Sequence, residues 1–172
     1  MMGDSHMTDG QRMRTVTWQD PMIGATAART MSGIDYLRAM MSSTLPLPLI
    51  SELFKMRFAE IAVGRVVFAV MPSEESDNPM GVVHGGFICT LLDSAMGCAG
   101  QSTLAAGLGY TSLDIHVHFV RAVTLAVGEL RAIGETVHVG KRIITAQGRL
   151  VDANDKLYAH ATTTCMVLGL EN

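Results

Sequence analysis

The sequence predicts an α+β fold: a curved antiparallel sheet wrapped around one central helix. Two observations carry this. The first is the stretch from Asn78 to Gly100, NPMGVVHGGFICTLLDSAMGCAG, which opens on Asn-Pro and Gly81 turn signals. It then runs apolar from Phe87 to Ala99, far too long for one strand, with a single carboxylate, Asp93, inside it. The second is the flanking pattern, with two strand candidates before this stretch and four after it. The late candidates are joined by short links, which predicts antiparallel neighbours. A sheet of such strands closed over one apolar helix buries both.

Taken in order, residues 1–25 read as a flexible N-terminal segment, with Trp18 the one candidate for docking. Residues 26–54 read as a helical extension. Ser32 and Asp35 have capping-box spacing, and Ile34, Leu37 and Met41 then share a helix face. Leu45-Pro46-Leu47-Pro48 ends that helix, and Pro48 can open a short second one through Phe54. Residues 55–170 form the core domain. Lys55–Pro72 predicts two strands around Val63-Gly64, and Ser73–Asp77 an acidic loop. Beyond the central helix, Gly107 and Gly109 mark a turn. Tyr110–Val120 then alternates, with Thr111, Leu113, Ile115, Val117 and Phe119 on one face. Ser112, Asp114, His116 and His118 take the other. Leu125–Val137, Arg142–Val151 and Leu157–Leu168 complete the strands.

Composition narrows the function classes. With 172 residues the chain can bury one sizeable core, and 48% apolar with 17% charged residues is ordinary for a globular protein. A net charge of −3 argues against nucleic acid as the main partner, because a phosphate-binding surface is normally basic. Three cysteines, Cys89, Cys98 and Cys165, cannot all pair in one chain, and no CxxC occurs, so reduced thiols and a cytoplasmic protein are expected. No membrane span is predicted. The Phe87–Ala99 helix is too short for one, and Asp93 lies in its middle. The thirteen methionines read as irregular core filling.

The central stretch has a chemistry of its own. His84-Gly85-Gly86 at a helix start leaves N–H groups pointing along the axis, with the positive dipole end behind them. Such a turn can serve as an oxyanion hole, or it can serve the turn alone. Asp93 shares a mostly small helix face with Gly86, Cys89 or Thr90, Met96 or Gly97, and Gly100. It either faces a cleft or has a buried Ser or Thr partner, since an uncompensated buried carboxylate is costly. Cys89 on that face has no histidine at helical spacing and reads as a small apolar filler. Gly85 and Asp93 stand ~12 Å apart along the helix. One reacting carbonyl cannot touch both from one chain, so a site using both requires two subunits with their helices side by side.

The segment N-P-x-G-x-x-H-G-G-x-x-x-x-L-L-D, residues 78–93, resembles the signature of hotdog-fold acyl-CoA thioesterases, in particular the phenylacetate-degradation (PaaI-like) group. Thr111-Ser112-Leu113-Asp114-Ile115-His116-Val117 resembles that group's strand after the helix. Val139-Gly140-Lys141-Arg142 and Asp155-Lys156-Leu157 through Ala159-His160-Ala161 are similar to its last two strands. The resemblance covers roughly residues 55–168 and implies a hotdog thioesterase domain. It implies that Asp93 activates water or attacks the thioester carbon, and that the Gly85 N–H polarises the thioester oxygen. Asn78 falls where relatives have Asn or Gln on the same oxygen, and His84 matches the histidine that shapes the loop. Ser112 matches a hydroxyl that assists the nucleophilic water, with Thr111 a near alternative. Gly86 and Thr111 belong with the substrate-binding residues. The sequence departs from the pattern at Gly97, where some relatives carry Ser or Thr one turn after the carboxylate.

The implied activity is hydrolysis of a small to medium aryl or aliphatic acyl-CoA. It needs an oxyanion donor and one base, with no metal and no bound cofactor, coenzyme A being part of the substrate. Lys141 and Arg142 at a strand start could meet its phosphates. His116 and His118 with His138 or His160 could be offered as a metal site, but a carboxylate–histidine surface row is the plainer reading. The expected partners are an acyl-CoA thioester and further copies of the chain, a homodimer and, by the resemblance, a homotetramer. A hotdog hydroxyacyl-thioester dehydratase would need a catalytic His paired with an acid. A non-catalytic acyl-CoA-binding protein would have no use for Asp93.

Overall fold

The computed structural model describes residues 10–170. Three short helices come first: α1 (Pro21–Ala28), α2 (Gly33–Met41) and α3 (Leu49–Phe54). Strands β1 (Arg57–Ala62) and β2 (Arg65–Val70) follow, then the long helix α4 (Gly85–Gln101). Four strands close the chain: β3 (Leu108–Phe119), β4 (Leu130–Val139), β5 (Ile143–Val151) and β6 (Leu157–Gly169). All six strands form one antiparallel sheet in the order β1-β2-β4-β5-β6-β3, which is the hotdog arrangement with α4 as its centre.

The expectation that all four late strands are sequential neighbours fails at one place. β3 pairs with β6 and stands at the sheet edge, while β4, β5 and β6 form the expected meander. The link between β3 and β4, residues 120–129, is not the short hairpin assumed. It is tied down where the Val120 and Arg121 N–H groups donate to the Tyr158 carbonyl, at 2.9 and 3.1 Å. Its Leu125–Val127 part, expected as strand, is a 3-10 turn. Gly128 at φ 77° ends that turn, and β4 begins only at Leu130.

The core sits between α4 and the sheet. Leu91, Leu92, Ala95, Met96 and Ala99 of the helix are fully buried, as are Val66, Leu130, Ala132 and Leu150 of the strands. The approach is very close at one point. A Cβ on Gly134 of β4 would lie 2.2 Å from the Ala95 carbonyl oxygen, so the helix backbone rests on strand backbone. Truncating a core leucine at such a site costs about 2–5 kcal/mol.

β3 departs from simple alternation. A bulge between Ser112 and Asp114 pushes Leu113 out of register, and Leu113 is 55% exposed. The phase reverses there. Ile115 and Val117 face the core beyond the bulge, but before it the inward positions are Tyr110 and Ser112. The predicted grouping of Thr111 and Leu113 with Ile115 is therefore wrong, and Ser112 moves to the helix side.

The extension is built partly as expected. The Ser32 side chain caps α2 by accepting from the Asp35 N–H at 3.3 Å. Leu37 and Met40 fill the core, whereas Met41, one residue past that face, is exposed. Pro48 caps α3 from outside instead of opening it. Phe54 meets Phe87 of α4 edge to face, with ring centroids 5.1 Å apart. The expected boundary between residues 25 and 26 falls inside α1, which starts at the Asp20-Pro21 cap. Residues 1–9 of the expected flexible segment lie outside the described residues. Within residues 10–20, Arg12 pairs with Glu74, and Arg14 pairs with Glu75 and donates to the Glu52 and Leu53 carbonyls at 2.6 and 3.0 Å. Trp18 is 57% exposed and borders a surface groove with Pro46 and Leu47.

Candidate active site

The loop that leads into α4 is locked locally. The Asn78 Oδ1 accepts from the Met80 and Val82 N–H groups at 2.8 and 3.4 Å, a side-chain-closed turn that commits this oxygen to loop shape. The Val83 N–H donates to the Val123 carbonyl and the His84 N–H to the Ser76 carbonyl. His84 is the helix cap, with Nδ1 accepting the Gly86 N–H at 2.8 Å. The imidazole thus holds the turn, and the Gly86 N–H is no longer open to a ligand. The Gly85 N–H has no acceptor among the described residues. It sits at the positive end of a 17-residue helix, beside an open groove of about 280 Å³ walled by Ile88, Phe119 and Arg121.

Asp93 lies two turns along α4, on the face turned toward the edge strand β3. It is half-buried and accepts a hydrogen bond from the Ser112 hydroxyl on Oδ1 at 2.9 Å. Both alternatives for Asp93 hold together: it has a hydroxyl partner, and it faces a groove of about 380 Å³ between Cys89 and Thr90 of the helix and Ser112–Ile115 of β3. Thr111 points away from the helix and does not join them. The Thr90 hydroxyl is turned back onto the Gly86 carbonyl at 3.0 Å.

The charge of Asp93 reaches its neighbours. Burial first, and the Asp93 carboxylate second, raise the Cys89 thiol above its ordinary value. The same two causes push Cys98 up to about 12. Both thiols are therefore neutral at pH 7, which agrees with Cys89 as filler and not nucleophile. Lys141 and Arg142 lie exposed in the β4–β5 turn, and neither has a carboxylate partner among the described residues. His118 and His160 stack across β3 and β6 with centroids 4.8 Å apart. Among the described residues no group of three His, Cys, Asp or Glu could hold a metal ion, and no helix is long and apolar enough to cross a membrane.

The structure thus brings Asp93 and Ser112 together and keeps Gly85 in a separate groove of the same subunit. It places Asn78 and His84 in the loop before Gly85, and Lys141 and Arg142 in the β4–β5 turn, where the Arg142 carbonyl accepts from the Val167 N–H of β6, itself opposite Tyr110 of β3. Sequence reasoning missed Tyr110, whose ring lies against Gly97. The Gly97 departure was the available signal.

Comparison with known proteins agrees. Residues 80–159 match the family model described as the thioesterase superfamily. No curated protein matches the sequence. Among solved structures, a phenylacetic acid degradation-related protein of Ralstonia eutropha superposes with a TM-score of 0.70 at 25% identity, over 76% of this chain and 98% of that one. The E. coli PaaI protein of the phenylacetic acid degradation operon gives 0.69 at 19% identity, over 81% and 97%. A Streptococcus mutans protein bound to acetyl-CoA gives 0.61 at 26% identity, over 66% and 89%. The fold, the His-Gly-Gly helix start and these similarities agree: the chain has a hotdog fold, its residues 80–159 carry the thioesterase superfamily pattern, and it is a thioester hydrolase whose motif resembles the phenylacetate-degradation group.

Proposed function

We propose that the protein hydrolyses an acyl-CoA to free acid and coenzyme A, at a site shared by two subunits. One observation carries the reading: a hydroxyl-held carboxylate and an unpaired N–H lie on one helix, ~12 Å apart, each at an open groove. Antiparallel helices of two copies would bring each Asp93 to the other chain's Gly85, twice. The acetyl-CoA complex of the Streptococcus mutans protein supports the substrate class.

In this mechanism Asp93 is the base. Ser112 fixes Oδ1, which leaves Oδ2 to take a proton from water as that oxygen bonds to the thioester carbon. The carbonyl oxygen becomes negative, and the Gly85 N–H of the second subunit holds it. Collapse breaks the carbon–sulfur bond. The proton passes from Asp93 to the leaving sulfur, giving acid and thiol. Asn78, with Oδ1 committed to the loop, has only its amide nitrogen to offer the same oxygen. Lys141 and Arg142 would meet the coenzyme A phosphates. The role of His84 as cap speaks against a dehydratase, which would need that imidazole as its base. A screen of aryl and aliphatic acyl-CoAs with free-thiol detection tests the activity. Thiol release from no member of the set would leave only the binding-protein reading.

A further inference from the structure

Gly97 is bare because another residue occupies its side-chain space. A Cβ there would lie 2.1 Å from the Tyr110 hydroxyl oxygen and 2.6 Å from its ring carbon Cζ. Tyr110 and Ser112 stand two residues apart before the β3 bulge, so both point at α4. Asp93 and Gly97 stand one turn apart on the helix. The two pairs align, with Ser112 over Asp93 and the Tyr110 phenol over the next turn.

The phenol is unusual in having nothing to bind. It makes no hydrogen bond among the described residues, although a half-buried tyrosine hydroxyl normally finds a partner. Its oxygen is not sealed off, since among the described residues Asp77 Oδ1 alone is a fully buried side-chain oxygen or nitrogen without a partner. Burial first, and then the neighbouring Cys98 thiol and Asp93 carboxylate, hold the phenol well above its ordinary value, so it is a protonated donor throughout the neutral range.

Resting on the reading of Asp93 as the base, we propose that Tyr110 is a second hydroxyl of the Asp93 centre: across the bare Gly97 backbone it donates to the water held at the carboxylate and orients it for attack. Ser112 then serves Oδ1 and Tyr110 serves the water side. A side chain at position 97 would push the phenol away, so the glycine and the tyrosine form one device.

Tyr110→Phe keeps the ring over Gly97 and removes only the hydroxyl. Loss of a hydrogen bond in a charged centre predicts a fall of about ten- to a hundredfold in kcat, with KM and the melting temperature nearly unchanged. Full kcat in Tyr110→Phe overturns the proposal and leaves Tyr110 as a core ring, as does a fall that merely follows the folded fraction. A second readout needs no activity. The chain has three tyrosines, so 13Cζ labelling with Tyr→Phe assignment isolates the Tyr110 resonance. That resonance should move in Asp93→Asn, and an unmoved resonance would overturn the link between the two groups. If the wild type released no thiol from any acyl-CoA, the thioesterase reading would fall, and the resonance would still decide whether Tyr110 and Asp93 form one centre.

Discussion

Leu91 and Asp93 lie two residues apart on α4, one fully buried against the sheet and the other facing an open groove. The same helix therefore has two sides under different constraints. The sheet side, with Leu91, Leu92, Ala95 and Met96, sets stability through packing. The open side, with Gly86, Cys89, Thr90 and Asp93, is only partly covered and borders the groove against β3, and its residues should matter mainly for turnover. Substitutions on the two sides test this contrast.

The largest effect is expected on the open side. Asp93→Asn keeps size and can still accept from Ser112, but it cannot take a proton from water. Its kcat should fall by ~10²–10⁴ while thermal melting stays close to the wild type. Measuring both on one preparation decides it, because a merely structural Asp93 would change melting and leave turnover tracking the folded fraction.

On the sheet side, Leu91→Ala should destabilise by about 2–5 kcal/mol in urea unfolding, with kcat per folded molecule unchanged. Gly134→Ala belongs to the same class. Its new methyl would meet the Ala95 carbonyl at 2.2 Å, and backbone cannot yield as a flexible side chain can. A large kcat loss in well-folded Leu91→Ala protein would erase the contrast between the faces.

A smaller effect separates two neighbours. Ser112→Ala removes the donor to Asp93 and should lower kcat about tenfold. Thr111→Ala, on the outer face, should leave kcat within about twofold, since surface changes away from such features are nearly neutral. Steady-state kinetics of the pair check it, and equal losses would mean that the bulge does not sort them.

The smallest effect concerns the strap of residues 10–20. Burial opposes it, but the Arg14 and Lys55 charges hold the Glu75 carboxyl below its ordinary value. A lowered carboxyl contributes stability while it is charged. That contribution is complete above the unfolded carboxylate value and fades as pH falls through the lower folded one. Proteolysis within residues 10–20 should therefore speed up only at acid pH, and in Glu75→Gln it should be fast at neutral pH too. Equal cleavage of both proteins at every pH would remove the pairs from the account.

The central helix, its glycine start and the carboxylate were legible because each leaves a local mark. A long apolar run, a His-Gly-Gly turn and one Asp need no tertiary information. What stayed hidden depends on pairing between distant strands. The bulge at Leu113 exists only against β6, so alternation alone assigned Ser112 and Thr111 to the wrong faces. The place of β3 at the sheet edge likewise follows from a partner far along the chain, where β6 supplies 13 residues to match its 12. Tyr110 was invisible for the same reason. Asp20-Pro21 is a readable helix start, but it lies inside the stretch read as a flexible N-terminal segment.

The claim that matters most is that each site takes Gly85 from one chain and Asp93 from the other. Gly85→Pro removes the N–H at the first helical position, where proline is tolerated, although its ring must displace Phe119 slightly. Alone, Gly85→Pro and Asp93→Asn should each be nearly inactive. Unfolded together and refolded at equal amounts, they should recover about a quarter of wild-type thiol release, because half the dimers are mixed and each mixed dimer holds one intact site. Recovery near that level in acyl-CoA hydrolysis is the expected result, and a mixture as inactive as its parents, with mixed dimers demonstrated by mass spectrometry, would contradict the shared site.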